Sequence, residues 1–418
     1  MVYFVSSKEG FMLEKYQAPF FYATPALAIA LLGLPLYVYL PTFYAQDVGL
    51  GMFEVGLILF VARFLDVLFD PIIGYISDKF ALRKSLMLLG ALLLLLGFYF
   101  LTHPLESSGY FWLFSFSVVV YFAWSMITVP YYALGADISQ SYHENTAYAS
   151  AREFFNITGV LLALILPYAF DVAQNAKSSL ELMFQSIVYI LPLSMLLFTI
   201  MVKHKKLQAS LYSLRENLYA LFTQVKQSKE LFLAFFLNNF ANAIPATLFL
   251  LYVEQVIGET TYTGALLLLY FVSGILALPF WIAISKKFNK KTAWRLSMLS
   301  ASLFFAFVPF LGLGDLYFFT AITILSGLSL GADMALPASM QADIAKNSSG
   351  SIFGFFAMLT KLSLAFGVGL SFGVLGLVEF DASNPSEYSL VTLSLLYGLV
   401  PVLLKILAIL TLNKFQEQ

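Results

Sequence analysis

The stretch RFLDVLFDPIIG, residues 63–74, places three charged residues inside a segment that is otherwise apolar enough to cross a membrane. On a helix, the spacing of Arg63, Asp66 and Asp70 puts their side chains on one face, and Gly74 follows one turn later. Each charge costs about 3 kcal/mol at the bilayer centre, so the three together would cost roughly 8 to 10 kcal/mol in lipid. We therefore expect this face to point into the protein, because such residues line ion or solute pathways.

The composition is that of a membrane protein with many spans. The 418 residues are 60% hydrophobic and 11% charged, whereas soluble domains carry about 25% charged residues. The net charge of −1 gives no reason to expect a nucleic-acid partner. The sequence has no cysteine, which excludes disulfides and thiol chemistry, and His103, His143 and His204 fall at predicted segment ends or in loops. We expect neither an enzyme nor a cofactor.

Twelve apolar runs are long enough to cross a bilayer, which takes about 20 residues. We number them as spans 1 to 12, near residues 17–45, 52–78, 84–103, 110–137, 148–171, 180–202, 230–256, 262–285, 293–312, 315–343, 350–378 and 388–412. Residues 203–229 carry six cations and predict a cytoplasmic linker, part of it spaced as an amphipathic surface helix through Leu207, Leu211, Leu214 and Leu218. The sequence thus predicts an all-α membrane protein with six-helix halves at residues 1–202 and 230–418.

The distribution of basic residues predicts the orientation. With a cytoplasmic N-terminus, nineteen lysines and arginines fall in inner loops and ends, and Lys177 alone falls in an outer loop. This bias indicates that both termini are cytoplasmic, in the inner or plasma membrane. The first apolar run is far longer than the core of a signal peptide, so we expect it to be retained as a span.

The two halves repeat. Residues 71–80 align without a gap on residues 279–288, and Ala136-Asp137-Ile138 matches Ala342-Asp343-Ile344. Two parallel repeats of six spans are typical of a major facilitator fold. In this register the three charges of span 2 fall on uncharged residues, namely Phe271, Gly274 and Leu278. A requirement of the scaffold would recur in both halves, so the charges indicate a functional site in the N-terminal half.

The charge balance of this face predicts a cation site. Two carboxylates, Asp66 and Asp70, and one cation, Arg63, leave a deficit of one positive charge, which Na⁺ or a proton would supply. Oxygen ligands could come from Ser125 and Thr128 on span 4, because hard cations prefer oxygen. Two alternatives stay open: a salt-bridged trio that only holds span 2 to its neighbours, and hydroxyls that bond their own backbone.

The loop that follows span 2 predicts a gate. Gly74 is followed four residues later by Asp78, then by Lys79 and, with one extra residue, by Arg83. This order resembles the loop signature of the major facilitator superfamily, in which charge contacts would lock the inner gate in one state. The alternative is plain anchoring of the loop at the cytoplasmic surface.

Other polar residues within spans predict a solute cavity. Lys361 is far from both ends of span 11, and Asp333 on span 10 is its candidate counter-ion or a solute contact. Arg152 either reaches the cavity or marks the inner interface, and Lys405 is expected to extend to the interface as a snorkelling lysine. Amides on span 7 suit solute hydroxyls, but they also pack helices together, as aromatic residues of span 4 do. The predicted cavity comprises Arg63, Trp124, Tyr132, Arg152, Asn238, Asn242, Asp333 and Lys361.

The run from Arg63 to Asp78 resembles the span-2 signature of the glycoside-pentoside-hexuronide:cation symporters, the melibiose permease group of the major facilitator superfamily. The similarity continues through residues 142–146, 152–155 and 335–337 to Lys361 and covers essentially the whole chain. It implies that Asp66 and Asp70 bind the coupling cation and that Arg152 and Lys361 contribute to the cavity. Two departures are Phe69, where the group has asparagine, and Thr128, where the group has a sugar-binding carboxylate.

Together these patterns predict a monomeric secondary transporter that couples Na⁺ or H⁺ to symport of a small organic solute, such as a sugar or glycoside, by alternating access. Its expected partners are the solute, the coupling cation and the lipid bilayer. A proton-coupled exporter and a carrier of lysolipids or other amphiphiles are the alternatives, because lysolipid carriers share the span-2 signature.

Overall fold

A computed structural model describes residues 7–34, 36, 39–105, 109–139, 141–172, 175–202, 214–345, 349–381 and 384–416. Within these ranges the chain forms helices and no β-strand. The helices are α1 (Ser7–Leu34), α2 (Leu40–Gln46), α3 (Met52–Phe80), α4 (Arg83–Thr102), α5 (Tyr110–Ile138), α6 (Tyr142–Ala169), α7 (Ala176–Met201), α8 (Leu214–Gln227), α9 (Lys229–Tyr252), α10 (Thr263–Lys287), α11 (Lys290–Phe305), α12 (Leu316–Ile344), α13 (Ser349–Leu377), α14 (Glu387–Ser394) and α15 (Val400–Asn413). A π-helical turn at Leu395–Leu399 joins α14 to α15 into one segment.

The twelve predicted spans correspond in order to α1, α3 to α7, α9 to α13 and the α14–α15 segment. Ten of these helices are long and apolar enough to cross a membrane. Residues Ala18–Gly33 of α1 are also apolar. Helix α3 is not among the ten, and Arg63, Asp66 and Asp70 lie near its centre. The fold is therefore that of a multi-pass membrane protein, and crossings by α1 and α3 stay a prediction.

The predicted linker is partly helical. Residues 203–213, with Leu207 and Leu211 of the predicted surface helix, lie outside the described residues. The remainder forms α8, in which Tyr219 and Phe222 are exposed and Leu221 is buried. Leu218 of the predicted surface helix is exposed as well, and the placement of this helix on the membrane surface stays a prediction.

Contacts divide the chain into two compact units. One comprises Met1–Asn217 with Ala345–Phe355, and the other Leu218–Ile344 with Phe356–Gln418. The boundary at Asn217 lies inside the predicted linker, whereas the grouping of residues 345–355 with the first unit is not expected from the sequence. The halves at residues 1–202 and 230–418 stay a prediction.

Each unit repeats the same helix packing. In the first, α5 packs against α3 and α4, and α7 packs against α1 and α4. In the second, α12 packs against α10 and α11, and α15 packs against α9 and α11. Both α5 and α12 have 29 residues. The predicted correspondence of spans 2 and 4 with spans 8 and 10 is therefore visible in the packing.

The repeat extends to the charged ends of the helices. Arg83, which begins α4, donates from Nε to Asp137 Oδ2 at 3.0 Å, and Lys290, which begins α11, donates to Asp343 Oδ2 at 2.6 Å. The next residue in each unit is a lysine that binds the last carbonyl groups of another helix. Lys84 donates to the carbonyl oxygens of Thr199 and Val202, and Lys291 donates to those of Asn413 and Phe415. Such cations complement the negative end of a helix dipole.

The short turn between α3 and α4 contains a strained residue. Ala81 ends α3 with φ of 53° and ψ of 34°, the left-handed conformation that a Cβ disfavours. The turn places Arg83 at the start of α4, close to Ser77 and Asp78.

We expect Ala81→Gly to raise the free energy of unfolding by about 0.5 to 1 kcal/mol, because glycine adopts the left-handed conformation without the steric cost but loses more entropy on folding. Thermal unfolding in detergent measures this change. As a control, Ala91→Gly inside α4 should lower stability by about 1 kcal/mol or more. A lower melting temperature for Ala81→Gly would contradict the prediction.

Candidate functional site

The charged face of α3 points into the protein. Asp66 is 8% exposed and Asp70 is fully buried, whereas Phe64, Leu68 and Ile72 on the opposite face are all more than half exposed. The orientation expected from the cost of charges in lipid is confirmed. Two carboxylates on one face of α3 are therefore held away from the surface of the protein.

Helix α5 supplies a hydroxyl to this face. The buried Ser125 donates from Oγ to Asp66 Oδ1 at 3.1 Å, so the structure brings together two residues of the predicted cation site. Thr128 donates to the carbonyl oxygen of Trp124 in its own helix at 3.0 Å, which is the alternative that the sequence left open. Among the described residues, no group of three acidic, histidine or cysteine side chains could hold a metal ion. A cation here would rely on two carboxylates and on hydroxyl or carbonyl oxygens.

A second polar group of the first unit surrounds Arg152. Its guanidinium carbon lies 3.9 Å from the centroid of the Tyr132 ring, and its Nη2 lies 2.7 Å from Glu153 Oε1. Asn156 donates to the other oxygen of Glu153 at 3.2 Å. Because Arg152 is buried between an aromatic ring and a carboxylate, it does not lie exposed at the helix end. Glu153, which sequence reasoning left without a role, is its direct ion-pair partner.

The remaining predicted residues of this unit have aromatic surroundings. Arg63 is half-buried, and its guanidinium carbon lies 5.8 Å from the centroid of the Tyr121 ring. Trp124 is half-buried and packs against the hydrophobic core of the first unit, as the packing alternative expected. Its place in a solute cavity stays a prediction.

The second unit fills the equivalent of the cation site with backbone. Gly274 takes the place of Asp66, and Gly331 takes the place of Ser125 in the same repeat register. A Cβ added to Gly331 would lie 2.6 Å from the carbonyl oxygen of Gly274, so α10 and α12 touch where α3 and α5 are joined by a side-chain hydrogen bond. Small residues that let helix backbones approach are a common packing solution in membranes.

The predicted gate residue Asp78 binds the start of α13. Its Oδ1 accepts from the backbone nitrogen of Gly350 at 2.8 Å, and its Oδ2 accepts from the backbone nitrogen of Ser351 at 2.7 Å. A carboxylate at a helix N-terminus satisfies free N–H groups and complements the positive end of the dipole. The hydroxyl of Ser351 also lies within hydrogen-bond distance of Asp78 Oδ2, at 2.7 Å, and of Asn217 Oδ1 of α8, at 3.0 Å. The first turn of α13 is therefore held to the end of α3.

Arg83 completes this cluster from α4. It donates to Asp78 Oδ1 at 2.8 Å, to Asp137 Oδ2 at 3.0 Å and to the hydroxyls of Ser77 and Ser349. Its guanidinium group is buried, and each of its three nitrogen atoms has an oxygen partner, which offsets the cost of removing the charge from water. Ser349 and Ser351 were not predicted, because they lie more than 260 residues away in the sequence and no local pattern marks them.

Lys79 is the exception among the predicted gate residues. Its Nζ lies 5.4 Å from the ring centroid of Tyr75 and 5.8 Å from that of Phe80, which are cation–π contacts on its own helix. The structure brings together Gly74, Asp78 and Arg83, whereas Lys79 points elsewhere because successive residues of a helix do not face the same way.

Glycines allow this close approach. A Cβ on Gly350 would lie 2.6 Å from the carbonyl oxygen of Gly74, and one on Gly354 would lie 2.5 Å from the carbonyl oxygen of Asp70. Gly350 and Gly354 are one turn apart, so the first part of α13 runs along α3 from Asp78 up to Asp70. The gate cluster and the candidate cation site therefore lie on one continuous helix contact of the first unit.

A separate buried ionic cluster lies in the second unit. Asp333 on α12 accepts from Lys405 Nζ at 3.0 Å and Asn242 Nδ2 at 3.1 Å through Oδ2, and from Trp294 Nε1 at 3.0 Å through Oδ1. Lys405 also donates to Asn238 Oδ1 at 2.7 Å. One carboxylate thus connects α9, α11, α12 and α15. Three of the four cavity residues predicted in this half are brought together.

This cluster corrects two expectations. The counter-ion of Asp333 is Lys405 and not Lys361, and Lys405 is buried instead of extending to the interface. It precedes the helix end at Asn413 by eight residues, about 12 Å, which is too far for a lysine side chain to reach the interface. That distance was the signal from which the burial of Lys405 could have been predicted. Lys361 is half-buried near the middle of α13.

Comparison with known proteins gives one family match. The model of the family described as MFS/sugar transport protein matches residues 21–416. A sphingosine-1-phosphate transporter of Xenopus tropicalis is 28% identical over 189 residues, which cover 42% of this chain and 36% of that protein. The chain therefore aligns with little more than a third of that relative's length.

Two further proteins align over nearly the whole chain. The uncharacterized symporter YnaJ of Bacillus subtilis is 23% identical over 423 residues, which cover 94% of this chain and 90% of that protein. The crystal structure of the E. coli fucose:proton symporter has a TM-score of 0.72 at 15% identity and covers 97% of this chain and all of that one. At that identity the likeness shows the fold alone.

We expect Gly350→Ala to release the start of α13 from α3, because its Cβ would overlap the carbonyl group of Gly74. The cysteine-free sequence allows a direct measurement: a cysteine at the buried Ala345 should react with maleimide about tenfold faster for each 1.4 kcal/mol of docking lost. The control is Gly369→Ala on the same helix, where a Cβ meets nothing within 4 Å. Equal reaction rates in the two variants would contradict the prediction.

We expect Lys405→Met to lower the free energy of unfolding by about 3 to 5 kcal/mol, because it leaves Asp333 as a buried charge without its cation. Replacing both residues, in Lys405→Met with Asp333→Leu, should recover most of this loss. Chemical denaturation in detergent measures both values, and Lys414→Met at the exposed end of α15 is the control. A stable Lys405→Met variant together with an unstable double variant would contradict the prediction that the unpaired carboxylate is what destabilises the protein.

Proposed function

The chain belongs to the MFS/sugar transport protein family and is a multi-pass membrane transporter, and on this premise we propose that it couples a cation to symport of a small organic solute by alternating access. The family is one of transporters and not of enzymes. Membership of the narrower melibiose permease group is part of the proposal. It is supported by the charged face of α3, which carries the signature of that group.

The observation that carries the proposal is the burial of Asp66 and Asp70 on one helix face with a single arginine, Arg63, on the same face. This face thus carries two acidic side chains for one basic side chain. Burying a carboxylate in low dielectric is costly, and a bound cation or a proton lowers that cost. The face therefore favours Na⁺ or a proton that enters and leaves.

The ion and the gate are connected in this proposal. Asp70 contacts Gly354 through its backbone, and Asp78 binds the start of α13 two turns further along α3. Neutralising Asp70 changes the electrostatics of α3 where α13 rests on it. We expect cation occupancy to bias the docking of residues 349–355, which is how the ion would control access to the solute.

The solute is proposed to be a sugar or glycoside, in keeping with the description of the family. A lysolipid or other amphiphile is the second candidate, supported by similarity to a sphingosine-1-phosphate transporter. A proton-coupled exporter is the third. Within the first unit, Trp124, Tyr132 and Arg152 are proposed to line the cavity, and in the second unit Asn238, Asn242, Asp333 and Lys361.

The setting proposed for the transporter follows from its basic residues. Both termini are placed in the cytoplasm, in the inner or plasma membrane, because the cations of the predicted loops lie almost entirely on that side. We propose a monomer that needs no cofactor besides the coupling ion. Its partners are the solute, the cation and the bilayer.

We expect Na⁺ to raise the melting temperature of the purified protein and Asp66→Asn with Asp70→Asn to abolish this effect. A ligand that binds the folded state alone at 100 times its Kd stabilises it by about 2.7 kcal/mol. If the ion is a proton, Na⁺ has no effect, and a pH gradient drives solute uptake in proteoliposomes.

The control is Asp171→Asn, which changes a carboxylate at an exposed loop between α6 and α7. It should keep both the Na⁺ response and ion-driven uptake. Normal ion-driven accumulation by the double variant of Asp66 and Asp70 would overturn the proposed coupling. Flux in inverted vesicles separates uptake from export.

A further inference from the structure

The buried ion pair of the second unit holds two amides of α9 in opposite orientations. Lys405 binds the oxygen of Asn238, at 2.7 Å, and Asp333 binds the nitrogen of Asn242, at 3.1 Å. Each amide therefore has one polar atom fixed by a charged partner. An amide cannot rotate by half a turn in such a place, because its oxygen would face the carboxylate or its nitrogen the ammonium group.

The other polar atom of each amide is left for a ligand. Asn238 Nδ2 is buried and has no hydrogen-bond partner, and Asn242 Oδ1 accepts no hydrogen bond from the described residues. Asn238 and Asn242 are four residues apart on α9, so they share a face. The helix presents a donor and, one turn away, an acceptor.

The ion pair itself needs no further ion. Asp333 and Lys405 cancel in charge, and the carboxylate accepts from Lys405, Asn242 and Trp294, with Ser297 at 3.4 Å. The cluster differs from the face of α3, which carries two carboxylates and one arginine. In the repeat register Asp333 corresponds to the buried Ile127, so the scaffold of a six-helix unit does not require the pair.

We infer that Lys405 and Asp333 set the polarity of a hydroxyl-binding subsite, in which Asn238 donates to, and Asn242 accepts from, a hydroxyl group of the transported solute. A hydroxyl both donates and accepts, so it has the two hydrogen-bonding functions that the free amide atoms need. The inference rests on the proposed transport of an organic solute. Lys405 acts as a positioning residue, because it acts only through Asn238 and Asp333.

A buried donor without an acceptor gives this subsite its selectivity. The unpaired nitrogen of Asn238 is costly in the absence of ligand, and a solute oxygen removes that cost, whereas a methylene group in the same place does not. The expected discrimination is about tenfold in affinity for the solute that carries the hydroxyl. The same chemistry occurs in a sugar and in the glycerol unit of a lysolipid.

Equilibrium binding to the purified full chain tests the inference with two pairs of radiolabelled probes. One arm compares lysophosphatidylcholine with the analogue that lacks its only free hydroxyl, and the other compares D-galactose with its singly deoxygenated forms. We expect one arm to bind, with about tenfold weaker affinity for the deoxygenated partner, and that arm identifies the source of the hydroxyl. Equal affinities within each arm, or no binding in either, would overturn the inference.

Variants of the two asparagines test whether these amides cause the difference in affinity between the hydroxylated and deoxygenated probes. Asn238→Ala and Asn242→Ala should each bring the affinity ratio close to one. The matched control is Asn239→Ala, since this neighbouring amide donates to the carbonyl oxygen of Phe235 in its own helix and does not join the cluster. A ratio that survives in both amide variants would contradict the assignment.

The role of Lys405 is tested where the fold is preserved. In the double variant Lys405→Met with Asp333→Leu the amides are free to turn, so the affinity ratio should fall towards one although the melting temperature stays near that of the parent. A purely structural pair would leave the ratio at about ten. Binding is measured without an ion gradient, so the two proposals can fail separately. If the affinity ratio is intact but transport is not coupled to a cation, only the proposed coupling is contradicted. If transport is coupled but the affinity ratio is one, only this subsite is contradicted.

Discussion

The rest of the structure depends on one constraint: a charge inside the hydrocarbon must be neutralised by the protein or by an ion that the protein admits. The two units meet this constraint differently. Asp333 is matched one to one by Lys405 and receives further hydrogen bonds from neutral side chains. On α3, two carboxylates share a face with one arginine. The one-to-one pair makes a rigid node, whereas the charged face of α3 is where we propose that a cation binds.

Repeated packing made this difference possible. Helices α3 and α5 pack against each other in the first unit as α10 and α12 do in the second. In the repeat register, Gly274 and Gly331 of the second pair stand where Asp66 and Ser125 stand in the first. The two solutions occupy the same place, one through a side-chain hydrogen bond and the other through direct backbone contact. A helix pair that packs with either can gain or lose polar chemistry without a change of fold.

The sequence predicted the helices closely because hydrophobic length is a local property. Span 2, expected at residues 52–78, is Met52–Phe80, and span 10, expected at 315–343, is Leu316–Ile344. The first helix begins ten residues early, at Ser7, because hydropathy marks the membrane-facing part of a helix and not its hydrogen-bonded start. Contacts between residues that are distant in sequence could not be predicted from local patterns. Lys405 lies 72 residues from Asp333, and Ser351 lies 273 residues from Asp78. Burial of Asp66 and Asp70 was predictable, since it follows from the cost of charge in lipid.

Equivalent ionic contacts at the helix ends of the two units indicate how the chain arose. Arg83 with Asp137 and Lys290 with Asp343 make the same contact, and Lys84 and Lys291 bind the ends of equivalent helices. The charged residues of the α3 face have uncharged counterparts in the second unit, and Asp333 has Ile127 as its counterpart in the first. The contacts at the helix ends agree between the units, whereas these buried charged residues differ. Duplication of one six-helix ancestor that already had the helix-end contacts explains both facts. On that account the charged face of α3 and the cluster around Asp333 arose after the duplication, each in one of two descendants of one gene segment.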